Sequence, residues 1–170
     1  KKSPFNEPKA RLAASLAIDR DSVIKSIHRG RAFKGGAMMP PPWGVWGISA
    51  KDLENVPGYG EVEKNREKAR ALMKELGYSK ENPLKVKLST RAISIYVDTA
   101  VLVIDHLKNV YIDATLDQVE TGNWHAKVAK RDYQIGMNLT GVGIDDPDAN
   151  FYENYTCGSK RNYSDYCNPE

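Results

Sequence analysis

The sequence predicts an α/β domain in which helices cover a small mixed sheet. Alternating apolar and polar residues indicate strands at 84–88, 112–118 and 133–139. A segment with one apolar face, at 94–109, lies between the first two strands and predicts a helix. A strand, a helix and a second strand in this order form a βαβ unit, whose two strands run parallel with a right-handed crossover.

Helical patterns account for much of the remaining chain. Residues 10–18 combine alanine with straight-chain residues, which favour the helix. A second helix is predicted to restart directly afterwards, with Asp21 or Ser22 as its N-cap. Further helices are predicted at 62–76, where apolar residues recur at helical spacing, and at 124–130.

Residues 31–60 form a different kind of segment. Glycine pairs and three consecutive prolines exclude a regular element there. The same segment carries Trp43 and Trp46, and two tryptophans are too costly to leave in a fully solvated linker. Either this loop packs onto the domain, or the two tryptophans form an apolar wall of a binding surface.

Composition narrows the class of protein. Of 170 residues, 41% are apolar and 28% are charged, and the net charge is only +3, which is typical of a soluble globular domain and argues against disorder. Apolar runs fall short of the roughly 18 residues of a membrane span. Basic residues are interspersed with acidic ones, so no nucleic acid partner is expected.

Motifs for catalysis and metal binding are weak. The three histidines lie far apart without ligand-spaced partners, so no metal site and no cofactor are expected. Nucleotide-binding and serine-nucleophile motifs do not occur. The aspartates at 145–148 do not fit a calcium loop, because Phe151 takes the position that needs glycine. Asp146 followed by Pro147 instead predicts a helix N-terminus.

Cys157 and Cys167 are the two cysteines of the chain. No histidine or third cysteine lies near enough to complete a zinc site, so a disulfide is favoured over two free thiols. A bridge across so short a loop contributes roughly 2.5–3 kcal/mol through the entropy of the unfolded chain. A disulfide also predicts an oxidising compartment.

The order of these segments resembles a known family. "ARLAASLAIDR" at 10–20, followed by the proline-rich loop, resembles the start of the third domain of family 5 extracellular solute-binding proteins of bacterial ABC importers. "YVDTAVLVIDHLKNVYIDATLDQVETGNWHAKVAKRDYQIGM" at 96–137 is similar to that family's helix, turn, strand and Trp…Asp-Tyr segment. "DDPDANFYENYTCGSKRNYSDYCNPE" at 145–170 is similar to its Asp-Pro loop and Cys-loop-Cys.

This resemblance implies one lobe of a type II (clamshell) periplasmic binding protein. Residues 1–170 are then expected to form a single ligand-binding lobe, as an excised fragment of a larger two-lobed receptor. Such a receptor captures a small solute, peptide-like or another organic compound, between its lobes and passes it to the membrane permease. It is implied to be monomeric, periplasmic or membrane-anchored outside the cytoplasm, and not an enzyme.

The resemblance also implies particular ligand-binding positions. Peptide-binding members carry Trp-x-x-Asp-x-x-Asp-Pro, and the first aspartate holds the peptide's α-ammonium. Alignment on Asp146 and the following proline places Gly143 at that aspartate and Thr140 at the tryptophan. We therefore expect ligand contacts at Thr140, Gly141 and Gly143, with Asp145 as the nearest substitute carboxylate. A free ammonium buried beside Gly143 would be unpaired, which favours a ligand without one or anchorage by the other lobe.

Arg91 is a further candidate, because it follows the 84–88 strand at the sheet edge where α/β proteins present ligand-facing groups. It is either a bidentate carboxylate ligand or a solvated surface residue. Two other functions stay open. A domain of a secreted enzyme would need a cluster such as Asp132, Asp145 and Asp146, and a protein-interaction module would expose the Trp43–Trp46 loop as a patch.

Overall fold

The computed structural model describes residues 3–36, 38–139 and 144–168. The predicted helices and strands are present with small changes at their ends. Their bounds are α1 Pro8–Ala17, α2 Arg20–Ser26, α3 Ala50–Leu53, α4 Val62–Glu75, β1 Leu84–Arg91, α5 Ser94–Lys108, β2 Ile112–Val119, α6 Thr121–Ala129, β3 Ile135–Met137 and α7 Pro147–Tyr155.

Two local details differ from the sequence analysis. Asp19, rather than Asp21 or Ser22, caps α2, because its carboxylate accepts a hydrogen bond from the Ser22 N–H at 2.9 Å. The short helix α3 also interrupts the segment for which no regular element was predicted. Its cap is Ser49, whose hydroxyl accepts from the Asp52 N–H at 3.2 Å, so a single polar residue is enough to start one turn.

The sheet has the order β2-β1-β3, and both pairings among the described strands are parallel. The predicted βαβ unit of β1, α5 and β2 is therefore confirmed. The expectation of a mixed sheet is wrong for these strands. The reason is that α6 carries the chain from β2 to β3, and a helical crossover returns the next strand in the same direction.

One apolar core lies between the sheet and helices α1, α4 and α5. It joins Ala13, Leu16, Met73, Leu88, Leu107 and Ile112, among others, all fully or almost fully buried. Val101 on α5 is 53% exposed, because the helix turns this position away from the sheet. Within the described residues, none of the helices has the length and apolar content that a bilayer crossing requires.

Candidate ligand-binding site

The carboxyl ends of the strands bring two candidate segments to one edge of the sheet. Arg91 is the last residue of β1, and β3 ends beside it, since Thr90 pairs with Met137. The segment that leads from β3 to α7 therefore starts at the same edge. Groups at this edge commonly face a ligand in α/β proteins.

Residues 40–47 form a compact turn, called here the tryptophan loop. The Trp43 and Gly44 N–H groups donate to the Pro40 carbonyl at 3.1 and 3.2 Å, and the Gly47 N–H donates to the Met39 carbonyl at 3.1 Å. A Cβ atom on Gly44 would lie 2.5 Å from the Met39 carbonyl oxygen, and one on Gly47 would also collide with it. The close backbone approach explains why glycine occupies both positions.

The two tryptophans of this loop lie on the surface. Trp43 is 56% exposed and Trp46 is 60% exposed, so neither ring is buried in the domain, and their role as a wall of a binding surface stays a prediction. Trp43 stacks on Phe33, with ring centroids 4.0 Å apart and planes inclined by 4°. In the part of the chain that the structure describes, Trp46 has no such stacking partner. The loop thus presents one supported and one free indole ring.

Asp145 connects the tryptophan loop to the segment after β3. Its Oδ2 accepts a hydrogen bond from the Val45 N–H at 2.7 Å. Its Oδ1 is buried and has no hydrogen-bond partner among the described residues. A second contact runs parallel to the first, as the Asn150 amide donates to the Met38 sulfur at 3.2 Å. Two segments about a hundred residues apart therefore share one surface.

Asp146 has the structural role that the sequence predicts. Its Oδ1 accepts from the Asp148 and Ala149 N–H groups at 2.8 and 3.4 Å and caps α7, with Pro147 in the first turn. The described residues contain no group of three or more histidine, cysteine, aspartate or glutamate side chains that could hold a metal. The cap therefore leaves Asp145 as the carboxylate of this turn that faces another segment.

Arg91 is half-buried and has no anionic partner among the described residues. Its guanidinium lies 5.4 Å from the centre of the Tyr96 ring, and the Tyr96 hydroxyl is 3.5 Å from its Nη1. Its Nε is buried without a hydrogen-bond partner, and no carboxylate of the described residues forms an ion pair with it. A guanidinium held in this way can donate hydrogen bonds to a carboxylate of a ligand.

Two of the aspartates that the enzyme hypothesis would combine have other partners in the structure. Asp132 is largely exposed and pairs with Lys127 at 3.1 Å, while Asp145 contacts the backbone of the tryptophan loop.

Thr140, Gly141 and Gly143 lie outside the described residues. Sequence reasoning did not find Phe33 as the support of Trp43, or the Val45 N–H as the donor to Asp145, because both contacts depend on tertiary structure.

The predicted disulfide between Cys157 and Cys167 is confirmed, with Cα atoms 4.8 Å apart. The loop that it closes is also held from within. Asn162 is only 2% exposed, and its amide donates to the Tyr166 carbonyl at 2.6 Å. Arg131 at the end of α6 donates to the Asn162 carbonyl at 2.7 Å and thereby ties the loop to the domain.

Similarity to solved structures defines the class of fold. The chain superposes with a TM-score of 0.81 on Haemophilus influenzae OppA in complex with the peptide RPPGFSPFR, at 22% identity over 99% of this chain and 33% of that one. It superposes with a TM-score of 0.75 on Helicobacter pylori DppA in complex with the peptide STSA, at 26% identity over 99% of this chain and 31% of that one. The fold is that of a lobe of type II periplasmic binding proteins.

Sequence comparison then defines the family. The chain is 30% identical over 156 residues to the oligopeptide-binding protein OppA of Bacillus subtilis, which covers 88% of this chain and 27% of that protein. Residues 1–162 match the family described as "Bacterial extracellular solute-binding proteins, family 5 Middle". The chain belongs to this family. It spans about a third or less of the length of these relatives.

Proposed function

We propose that residues 1–170 form one ligand-binding lobe of a two-lobed receptor, the substrate-binding component of an ABC importer. The receptor captures a small solute in the cleft between its lobes and delivers it to the membrane permease. The observation that carries this proposal is the 2.7 Å hydrogen bond between Val45 and Asp145, which brings two exposed tryptophans and the turn after β3 onto one surface. A clamshell receptor needs such a surface to face its cleft.

Each candidate residue has a part in this binding surface. Trp43 and Trp46 supply an apolar wall for the solute. Arg91, whose guanidinium has no anionic partner among the described residues, binds a carboxylate of the solute. The first turn of α5 begins three residues after Arg91 and has no side-chain cap among the described residues, so the positive end of the helix dipole adds positive potential at this position.

The solute is peptide-like or a related organic acid. The Bacillus subtilis relative is an oligopeptide-binding protein, and the two similar structures named above contain peptides, which supports this chemistry. Thr140, Gly141 and Gly143 are proposed to contact the solute. Because Gly143 offers no carboxylate for an α-ammonium group, the peptide's amino end is anchored elsewhere or is absent from the solute.

The receptor works outside the cytoplasm, in the periplasm or anchored to the membrane, as a monomer. The Cys157–Cys167 bridge supports an oxidising compartment, and the periplasmic proteins among its relatives support the same location. Binding and release require no bond in the solute to be made or broken. Asp132 pairs with Lys127 and Asp145 accepts a hydrogen bond from the Val45 N–H, and these partners support a binding protein rather than an enzyme.

A thermal-shift screen of the complete receptor tests this function. The probes are free and N-acetylated tripeptides, sugars, aromatic acids and metal chelates. We expect peptide-like carboxylates to raise the melting temperature and to be recovered unchanged. We expect Arg91→Ala to weaken their binding about tenfold to a hundredfold, which corresponds to the loss of a charged hydrogen-bonded pair.

Lys85→Ala is the matched control, because this exposed cation lies on the same strand at its other end. Equal affinities of the Arg91→Ala and Lys85→Ala variants for the carboxylate would contradict the role of Arg91. A strong shift with a free-amine peptide and none with its acetylated form would contradict the interpretation of Gly143. Conversion of any probe into a product would contradict the proposed function.

A further inference from the structure

We propose that Asp145 is a positioning residue of the cleft: its carboxylate holds the tryptophan loop so that Trp46 presents a free ring face to an apolar or aromatic group of the solute. This inference rests on the proposed solute-binding function and adds part of the ligand's chemistry. It also assigns different tasks to the two tryptophans, which the sequence treats alike.

The restraint acts at the centre of the loop. Val45 lies between the two tryptophans, and its N–H donates a hydrogen bond to Asp145 Oδ2 at 2.7 Å. A hydrogen bond to a carboxylate is stronger than one between neutral groups. The backbone hydrogen bonds of the loop to the Pro40 and Met39 carbonyls lie within the loop or next to it and define its shape. The bond to Asp145 instead sets where this shape sits relative to the segment after β3.

The two indole rings differ in what surrounds them. Phe33 covers one face of Trp43, with the ring centroids 4.0 Å apart, so this face is not open to a solute. Trp46 is 60% exposed and has no ring stacked on it anywhere in the described ranges. The neighbouring Val45 and Ile144 are exposed as well, which makes this surface apolar. An exposed apolar patch on an ordered turn is typical of a binding site.

The environment of the carboxylate predicts how substitutions behave. Asp145 Oδ1 is buried without a hydrogen-bond partner among the described residues. In Asp145→Asn the amide oxygen can still accept from Val45, whereas Asp145→Ala removes the acceptor. Asp148→Ala is a matched control, since this exposed carboxylate lies three residues further on and has no hydrogen bond or ion pair with the loop in the described part of the chain.

Hydrogen exchange measures the restraint without any ligand. In the complete receptor we expect the Val45 amide to exchange at least about tenfold faster in Asp145→Ala than in the wild type. The Asp145→Asn variant should retain most of the protection, and Asp148→Ala should retain all of it. The Gly47 amide, bonded to Met39, is the internal reference. Unchanged exchange of Val45 in Asp145→Ala, with the fold intact by circular dichroism, would overturn the proposal.

Calorimetric titration then tests the ligand chemistry with two probes, N-acetyl-Ala-Phe-Ala and N-acetyl-Ala-Ser-Ala. We expect the wild type to prefer the phenylalanine peptide about tenfold. Trp46→Ala and Asp145→Ala should reduce this preference to below about threefold, while Asp145→Asn and Asp148→Ala should keep it. Because all variants are compared on the ratio of two affinities, a general loss of stability does not imitate the expected result.

Three outcomes of the titration contradict the proposal, and they differ in what they say about the proposed function. If Trp46→Ala still prefers the phenylalanine peptide, Trp46 does not bind the apolar group. If the wild type shows no preference between the two peptides, the solute has no apolar group that the cleft recognises. If the receptor binds neither peptide but binds another solute of the screen, this inference fails and solute capture stands. If it binds no solute at all, both fail.

Discussion

Removal of the Cys157–Cys167 disulfide is expected to lower the free energy of unfolding by about 2.7 kcal/mol. The perturbation is the double substitution Cys157→Ser and Cys167→Ser, which leaves no free thiol. The bridge spans a sequence separation of 10 residues. The entropy of closing a loop of that size in the unfolded chain corresponds to about 2.7 kcal/mol at 25 °C.

The structure also sets an upper value for the loss of unfolding free energy. If the loop stays folded without the bridge, the contacts of Asn162 with Tyr166 and with Arg131 persist, and the loss is limited to the entropy of the unfolded chain. If the loop detaches, each of these hydrogen bonds adds about 1 kcal/mol to the loss. The expected range is therefore about 3 to 5 kcal/mol, including both hydrogen bonds at its upper end.

Urea unfolding followed by circular dichroism measures this loss, with the midpoint as the readout and an unchanged slope as the check on two-state behaviour. For a loss of about 2.7 kcal/mol, thermal unfolding of a chain of this size should show a melting temperature lower by about 5–10 °C. Lys160→Ala is the control, an exposed substitution inside the same loop, with an effect within about 0.5 kcal/mol. A loss below about 1 kcal/mol for the double variant would refute the reasoning, because the loop would then not unfold together with the domain.

Three further outcomes are expected. Met73→Ala, in the core between α1 and α4, should cost about 2–5 kcal/mol in urea unfolding, against less than about 0.5 for the neighbouring exposed Lys74→Ala. Burial, reinforced by Arg66, lowers the pKa of His106 from its usual 6.5, so the unfolding free energy should fall as pH drops below about 6.5, and His106→Gln should flatten this slope. Asp146→Ala should destabilise α7 by about 1 kcal/mol, seen as faster hydrogen exchange of its first turn, while a protected first turn would contradict the cap.

Most elements could be predicted because their signals are local. The apolar face of 94–109 and the alternation at 84–88 and 112–118 each depend on neighbours within one element, and the structure has α5, β1 and β2 there. Strand direction is less local. The direction of β3 depends on how α6 crosses the sheet, which is why a mixed sheet was expected and a parallel one is observed.

The candidate site divides in the same way. Arg91, Trp43 and Trp46 could be named as candidate ligand-binding residues from their side-chain types. The position of Arg91 at the end of a strand followed from the predicted strand itself. The residues that contact these candidates could not be predicted from the sequence. Phe33 beneath Trp43, and the Val45 N–H that Asp145 accepts, have no sequence signal, because any of many side chains and amides could occupy those positions.

The order of elements, the crossover of the βαβ unit and the disulfide are therefore readable from the chain, because each follows from residue spacing and from the chirality of the backbone. Whether the two tryptophans are buried or exposed, and which carboxylate holds their loop, depends on the folded molecule. The free energy that decides these points comes from surfaces and charges about a hundred positions apart, which meet only after the sheet has brought them together.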